Sequence, residues 1–183
     1  FYMNTHDQQI SHFAQSGLGR ITVNAGKSRS AGAEVALRTQ ITNEFSLTGN
    51  YGFTHATFTD YVVSKDLNYN GKFVPFVPMH TFNIGGQYIF NMRNCSWMDN
   101  ITLNANYKGA GRIYWTEANN ASQELYGTLN GRISFNKGNG QVSLWINNAL
   151  NKDYQAFYFE SMSRGFAQMG RPMQIGVDLR CRF

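Results

Sequence analysis

Hydrophobic and polar residues alternate along most of the chain, a spacing that predicts β-strands with one apolar and one polar face. The last segment shows the pattern best, with apolar residues at Ile175, Val177, Leu179, Cys181 and Phe183. The same period of two recurs upstream, so we predict about eight strands in an all-β, antiparallel arrangement. Their expected ranges are residues 1–13, 21–41, 45–61, 74–91, 99–116, 122–136, 141–158 and 171–183.

The connections between these predicted strands alternate between short and long. Short ones are expected at 42–44, 93–99 and 137–140, and longer ones near 15–19, 60–72, 117–122 and 161–170. Outer-membrane β-barrels have short periplasmic turns and longer extracellular loops in this order. The pattern therefore favours a transmembrane barrel wall over a soluble β-sandwich, although a sandwich also alternates.

Composition supports the same interpretation. Aromatic residues make up 15% of the chain and charged residues also 15%, where about 25% charged residues is usual. Uncharged amides and hydroxyls fill the polar positions, which suits a face that lines a wet lumen. Aromatic residues near the predicted strand ends fit the two interfacial girdles of such a barrel. The predicted location is the outer membrane.

Several other classes of protein are disfavoured. No stretch approaches the about 20 apolar residues of a membrane-spanning helix, and the net charge of +5 is spread singly rather than clustered for nucleic acid. The four histidines and two cysteines have no metal-ligand spacing. No G-x-S-x-G motif is present. We therefore expect no enzyme activity, no metal and no cofactor. The chain opens in strand-like residues without a secretory leader, so we expect a piece of a longer protein.

Four motifs resemble those of the TonB-dependent receptors of Gram-negative outer membranes. The first combines Asp7 to Ile10, Val23 to Lys27 and Gly32 to Val35, and the second runs from Leu47 to Tyr61. The third is Gly71-Lys72 with Val74 to Thr81, and the fourth is Asn147 to Tyr154. Departures are small, with Ala149 where the family usually has leucine and Asn151 where it usually has aspartate.

The resemblance implies that residues 1–183 are one C-terminal portion of the family's barrel, without its plug domain. Such transporters have about 22 strands around a plugged lumen. The implied function is TonB-dependent uptake of a scarce nutrient, a ferric siderophore or similar chelate, with vitamin, haem or glycan as alternatives. The implied partners are the TonB complex, reached through the missing plug, the barrel-assembly machinery, outer-membrane lipid and lipopolysaccharide.

Candidate site residues fall into three groups, each with two open interpretations. Cations expected on the lumen face either guide an anionic ligand or are neutralised by the plug and solvent: Arg38, Lys108, Arg112 and Arg132. Tyr114 and Tyr126 flank a long loop and either stack on a ligand or belong to the girdle. The C-terminal pattern of Ile175, Val177, Leu179 and Phe183 either signals barrel assembly or simply faces lipid, and both can hold.

One further alternative is a complete small barrel of eight strands with a structural or adhesive role. Eight strands can close with side chains filling the interior. Small residues expected on the lumen face, Gly52, Gly85 and Ala110, would fill so narrow a barrel poorly.

Overall fold

The alternating pattern folds into a single large antiparallel sheet with loop hairpins. The computed structural model describes residues 1–13, 20–24, 26–65, 67–93, 95–162 and 164–182. Its strands are β1 (Tyr2–His6), β2 (Gln9–Phe13), β3 (Arg20–Asn24), β4 (Lys27–Gln40), β5 (Phe45–Asp60), β6 (Val62–Ser64), β7 (Leu67–Asn68), β8 (His80–Asn91), β9 (Asn100–Ala110), β10 (Ile113–Tyr114), β11 (Ser122–Gln123), β12 (Tyr126–Lys137), β13 (Gly140–Asn147), β14 (Gln155–Ser161), β15 (Arg164–Met169) and β16 (Gln174–Cys181). No helix long and apolar enough to cross a membrane occurs in this part of the chain.

The main sheet has eight strands in the order β1-β4-β5-β8-β9-β12-β13-β16. Each strand pairs with the next one along this order, always antiparallel. Within the described ranges β1 pairs only with β4 and β16 only with β13, so the sheet stays open at both edges. The predicted all-β class is confirmed. In the described ranges the strands form neither a closed eight-stranded barrel nor a two-layered sandwich.

The pairing register separates the two faces of the sheet. One cross-strand row is apolar and half-exposed: Tyr88, Leu103, Ile133, Leu144 and Val177. The neighbouring row lies on the opposite face and is largely polar: Gln87, Asn104, Arg132, Trp145 and Gly176. Because successive side chains of a strand point to opposite faces, the sheet presents an apolar face for lipid and a polar face for a lumen.

The connections alternate as predicted. Short turns join β4 to β5, β8 to β9 and β12 to β13. The long connections lie at the other end of the sheet and contain the four small hairpins β2-β3, β6-β7, β10-β11 and β14-β15. In an outer-membrane barrel the long connections are extracellular and the short turns periplasmic, which orients the sheet.

Several predicted strands are too long at their extracellular ends. The predicted strand 74–91 begins only at His80, and the predicted strand 141–158 ends at Asn147. The predicted strands 1–13 and 21–41 are each divided in two, at Asp7 and Gly26, where φ is 54° and 65°. Such left-handed backbone ends a strand, while the hydrophobic alternation of the sequence continues past it.

The motif from Asn147 to Tyr154 is held by a set of hydrogen bonds at the extracellular end of β13. The buried Asn148, with φ at 49°, donates from Nδ2 to the carbonyl oxygens of Lys152 and Arg171 at 3.0 and 3.1 Å. Its Oδ1 accepts from the Lys152 N–H at 2.9 Å. This side chain therefore fixes the start of the last long connection to the residues that precede β16.

Asp99 joins two periplasmic turns. Its carboxylate accepts hydrogen bonds from the Gly138 N–H at 2.7 Å and from Lys137 Nζ at 2.9 Å. These two bonds, that of Gly138 first, hold the pKa of Asp99 below its usual range. A carboxylate stabilised in this way supports the folded state only while it is ionised.

We expect Asp99→Asn to lower the thermal unfolding temperature of the purified protein at neutral pH. Because the folded-state pKa is depressed, the stabilisation is present above the ordinary pKa of about 3.9 and is lost as pH falls through the folded value. The difference in unfolding temperature between wild type and variant should therefore disappear below about pH 4. A difference that persists unchanged into acid would show that the ionised carboxylate is not responsible.

Candidate functional site

Neutral amides on neighbouring strands bind to one another across the polar face. Asn106 donates from Nδ2 to the Asn83 amide oxygen, and Asn130 donates to Asn106 at 3.4 Å. The Asn130 oxygen in turn accepts from the backbone N–H of Asn148 at 3.1 Å. These bonds link β8, β9 and β12, with Asn130 directly opposite Asn106 and Asn83 two residues along β8 from the position opposite Asn106. They order this part of the face without adding charge to it, as suits contact with water or with another polar surface.

Arg132, predicted on the lumen face, is neutralised by the wall itself. Its Nη1 lies 2.6 Å from Asp178 on β16, and Trp145 Nε1 donates to the same carboxylate at 3.2 Å. The Trp145 ring lies over Gly176, where a Cβ would overlap it. The three side chains border a shallow hollow of about 440 Å³ on the polar face. Arg132 thus orders the wall and is not a free cation for a ligand.

Arg112 is neutralised in the same way at the extracellular end. Its Nη2 lies 2.9 Å from Glu124 in the β9–β12 connection, and this hydrogen bond raises the pKa of the guanidinium further above its ordinary value. Arg38 and Lys108 differ, because neither has a hydrogen bond or ion pair with another described residue. Both side chains are exposed on the polar face. Of the four predicted cations, these two remain available to a ligand or to a plug.

Tyr114 and Tyr126 do not form one surface. Tyr114 stacks on Phe73 at a centroid distance of 5.2 Å and an interplanar angle of 13°. Tyr126 stacks on Tyr154 at 4.3 Å and 8°, and the Tyr154 ring also lies against Gly170. One face of each predicted tyrosine is therefore already covered by an aromatic neighbour.

Five aromatic side chains from three extracellular connections pack against one another in series. Phe76 lies 5.6 Å from Trp115 and 5.6 Å from Phe157, and it is nearly parallel to Phe157 at 17°. The series continues through Phe159 to Phe166. We call Phe76, Trp115, Phe157, Phe159 and Phe166 the loop aromatic group. The alternation of the sequence does not mark the three phenylalanines, whose only signal is the density of aromatic residues after Tyr154.

Two features show that the loop aromatic group is held in a defined geometry. Phe76 has φ at 64°, a conformation that a bulky residue adopts only when its surroundings impose it. Trp115 is 7% exposed, and its Nε1 is buried without a partner among the described residues. A buried donor left unbound costs free energy, and because solvent does not reach this N–H, an acceptor from a ligand or another chain segment would bind it only if the loop aromatic group rearranges.

A second cluster anchors the β5–β8 connection to the wall. Phe58 and Tyr61 are 1% and 4% exposed and pack against Tyr69 and Val74. Burial, and after it the nearby charge of Glu117, raises the pKa of Tyr61 to about 12. The same two causes raise the pKa of Tyr69. The Tyr61 side chain is therefore buried as a neutral phenol in the folded connection.

We expect the tyrosinate absorbance of wild type minus that of Tyr61→Phe to show one phenol that titrates near pH 12. Since the folded-state pKa is raised, the contribution of Tyr61 to stability is complete below its ordinary pKa of about 10 and is lost as pH rises through the folded value. A difference titration centred near pH 10 would contradict the burial of this phenol.

The predicted C-terminal pattern lies on an edge strand. Ile175, Val177 and Leu179 are 68%, 61% and 79% exposed on the apolar face of β16. Phe183 lies outside the described residues. The exposed apolar row agrees with lipid contact, and its role as an assembly signal stays a prediction.

Metal-ligating side chains do not gather into a site in the described ranges, where no group of three or more His, Cys, Asp or Glu is found. His80 instead bonds to the Tyr51 hydroxyl at 2.8 Å, and His55 packs edge-on against Phe73. Both histidines therefore support aromatic neighbours.

The fold and its two faces define a class of protein: a wall segment of an outer-membrane β-barrel, with short periplasmic turns and structured extracellular connections. The family model "TonB dependent receptor-like, beta-barrel" matches residues 1–149. The chain belongs to this family of outer-membrane proteins, which confirms the resemblance that its motifs suggested.

Solved structures show the same fold. The ferric yersiniabactin uptake receptor FyuA from Yersinia pestis superimposes with a TM-score of 0.85 at 21% identity, covering 100% of this chain and 26% of that one. The siderophore receptor PiuA from Acinetobacter baumannii gives 0.71 at 18%, covering 97% and 24%. The closed form of the ferric-catecholate import receptor Fiu from Escherichia coli K12 gives 0.70 at 19%, covering 100% and 24%. The chain thus spans about a quarter of the length of these structures.

Proposed function

We propose that residues 1–183 are part of the barrel wall of an outer-membrane receptor that imports a ferric siderophore or a similar chelate in a TonB-dependent manner. Family membership supports the transport role, and similar solved structures carry names of siderophore receptors. The TonB complex would act through a plug that residues 1–183 do not supply. The barrel-assembly machinery, lipid and lipopolysaccharide complete the proposed partners.

The loop aromatic group is the observation that carries the proposed ligand class. Phe76 and Phe157 are 50% and 37% exposed, so ring surface remains for a flat ligand beside the unpartnered Trp115 Nε1. A contact between two aromatic rings contributes about 0.5–1.5 kcal/mol beyond the free energy gained by burying their apolar surface. Lys108, close to the extracellular end of β9, adds positive charge on the polar face, whereas Arg38 lies near the periplasmic turn between β4 and β5. Planar, acceptor-bearing, anionic chelates match these three features better than neutral sugars.

Transport is tested directly in cells. A strain without its own copy of the receptor gene should take up a labelled ferric catecholate when it expresses the full-length receptor, and removal of TonB should abolish that uptake. Uptake that is independent of TonB would contradict the mechanism. Uptake of haem or a glycan, with none for ferric chelates, would retain the transport role and replace the ligand class.

The indole donor is tested by binding to the purified full-length receptor. Trp115→Phe keeps an aromatic ring but removes the N–H together with the five-membered ring that carries it, so we expect it to weaken binding of the transported ferric chelate by at least about threefold, near the lower bound for one hydrogen bond. Trp97→Phe is the matched control, since Trp97 lies in a periplasmic turn and is 72% exposed. Equal affinities for the two variants would exclude Trp115 Nε1 as a ligand donor.

A further inference from the structure

The outer edge of the β5–β8 connection faces the β9–β12 connection at Phe73. Phe73 forms an antiparallel bridge with Thr57 of β5, and the hydrogen bonds of this bridge are made by the flanking residues Lys72 and Val74. In a pair of this kind the N–H and C=O of Phe73 itself point away from β5. Both groups therefore need partners from the neighbouring connection.

Asn119 supplies both partners with one side chain. Its Oδ1 accepts from the Phe73 N–H at 2.7 Å, and its Nδ2 donates to the Phe73 carbonyl oxygen at 3.0 Å. Nδ2 also donates to the Thr116 carbonyl oxygen of its own loop at 3.0 Å. A side-chain amide carries a donor and an acceptor on separate atoms, as a peptide group does. The φ of 58° at this position favours asparagine among the amides, so the contact accounts for the residue type.

The two bonds between Asn119 and Phe73 form the outer end of a short series that joins the two connections. Two backbone bonds continue the series towards the sheet: the Phe76 N–H donates to the Tyr114 carbonyl oxygen at 2.8 Å, and the Met79 N–H donates to the Arg112 carbonyl oxygen at 3.1 Å. The prolines at positions 75 and 78 have no N–H to add. Separation of the two connections would therefore begin at Asn119.

The joined arrangement covers the Trp115 indole and contains two unfavourable features. Trp115 is 7% exposed and lies against Phe76, with ring centroids 5.6 Å apart. Its Nε1–H is buried without a hydrogen-bond partner among the described residues, which costs free energy. Phe76 has φ at 64°, a conformation that a bulky side chain disfavours. Separation of the connections would remove both features, and the bonds of Asn119 oppose that separation.

We propose that Asn119 is a latch that holds the β5–β8 and β9–β12 connections together and keeps the Trp115 N–H covered until its bonds to Phe73 are released. Release lets Phe76 move away from the indole, so that an acceptor can reach the N–H. One consequence rests on the proposed function: a ferric chelate reaches Trp115 only after the release. Because apparent affinity is reduced to the extent that the binding-competent state is rarely populated, a weakened latch should speed association of the chelate.

The Trp115 indole N–H reports the latch directly in the purified full-length receptor. With tryptophan labelled at the indole nitrogen, its NMR signal is the one that disappears in Trp115→Phe. Asn119→Gly tolerates the left-handed backbone and removes the amide. We therefore expect solvent exchange of this N–H to be at least about threefold faster than in wild type, near the lower bound for one hydrogen bond.

Asn120→Gly is the matched control, because it makes the same change one residue further along the same loop. The Asn120 amide oxygen accepts from the Thr116 hydroxyl within that loop, so exchange at Trp115 should remain at the wild-type rate. A second variant, Asn119→Asp, covers the case in which Asn119→Gly does not fold. It retains an acceptor for the Phe73 N–H but loses the donor to the two carbonyl oxygens, so it should also speed the exchange.

Ferric dihydroxybenzoate, a catecholate, serves as the ligand probe and should associate at least about threefold faster with both Asn119 variants. Wild-type exchange rates in both variants, or equally fast exchange in Asn120→Gly, would overturn the latch. Faster exchange with unchanged association of a chelate that does bind would overturn the step from release to ligand access. Faster exchange in a receptor that binds no ferric chelate would count against the proposed function and support the latch.

Discussion

Replacing Phe58 by alanine is expected to release the β5–β8 connection from the barrel wall. Phe58 is 1% exposed and contacts Tyr61 edge-on at a centroid distance of 4.9 Å. Truncating a buried phenylalanine costs about 3–5 kcal/mol. Because the connection has few other buried side chains, we expect this cost to appear as local opening of residues 61–79 rather than as unfolding of the sheet.

The opening is measurable because the same segment is held by backbone bonds to Phe58. Its N–H donates to the Lys72 carbonyl at 2.9 Å, and its carbonyl accepts from Gly71 at 2.8 Å. We expect faster hydrogen exchange at Gly71 and faster tryptic cleavage after Lys65 and Lys72 in Phe58→Ala.

Two controls accompany the experiment. Phe58→Leu should lie between wild type and alanine, because leucine retains more of the buried apolar volume than alanine does. Phe90→Ala, on the apolar face of β8 and 43% exposed in this chain, should leave cleavage at the two lysines unchanged. Equal cleavage of wild type and Phe58→Ala would show that the cluster does not anchor the connection.

The central strands were predictable because lipid and lumen impose strict alternation on them. The prediction of 45–61 corresponds to β5 at Phe45–Asp60, and that of 122–136 to β12 at Tyr126–Lys137. Outside the membrane this constraint is absent, and strand ends depend on single backbone conformations. Asn148 and Gly26 belong to residue types that favour positive φ, but Phe76, with φ at 64°, carries no such signal.

The candidate site was less predictable because its contacts join distant parts of the chain. Alternation places Arg132 and Asp178 on the polar face, but only the register of β12, β13 and β16 brings them together. The sequence predicted a ligand or plug contact for Arg132 and did not predict its ion pair with Asp178. Likewise Phe76 and Phe157 come into contact only because of how two extracellular connections fold. The hydrophobic periodicity of the sequence does not predict the conformation of those connections.

Introducing arginine on the apolar face should be among the most damaging single changes to the sheet. Leu144 lies in the middle of β13, between Ile133 of β12 and Val177 of β16. An arginine facing lipid at the bilayer midplane costs about 2–4 kcal/mol. We therefore expect Leu144→Arg to lower the denaturant midpoint of the full-length receptor in lipid vesicles and to reduce the folded fraction during assembly.

Asn50→Arg provides the matched control, because it introduces the same side chain on the opposite face. Asn50 is exposed between Ala36 and Asn83, where water or a plug surface can solvate the guanidinium, and exposed substitutions usually change stability by less than about 0.5 kcal/mol. A shift of register by one residue would exchange the two faces. Equal losses from both substitutions, or a larger loss from Asn50→Arg, would therefore refute the assignment of the faces on which the proposed lumen cations depend.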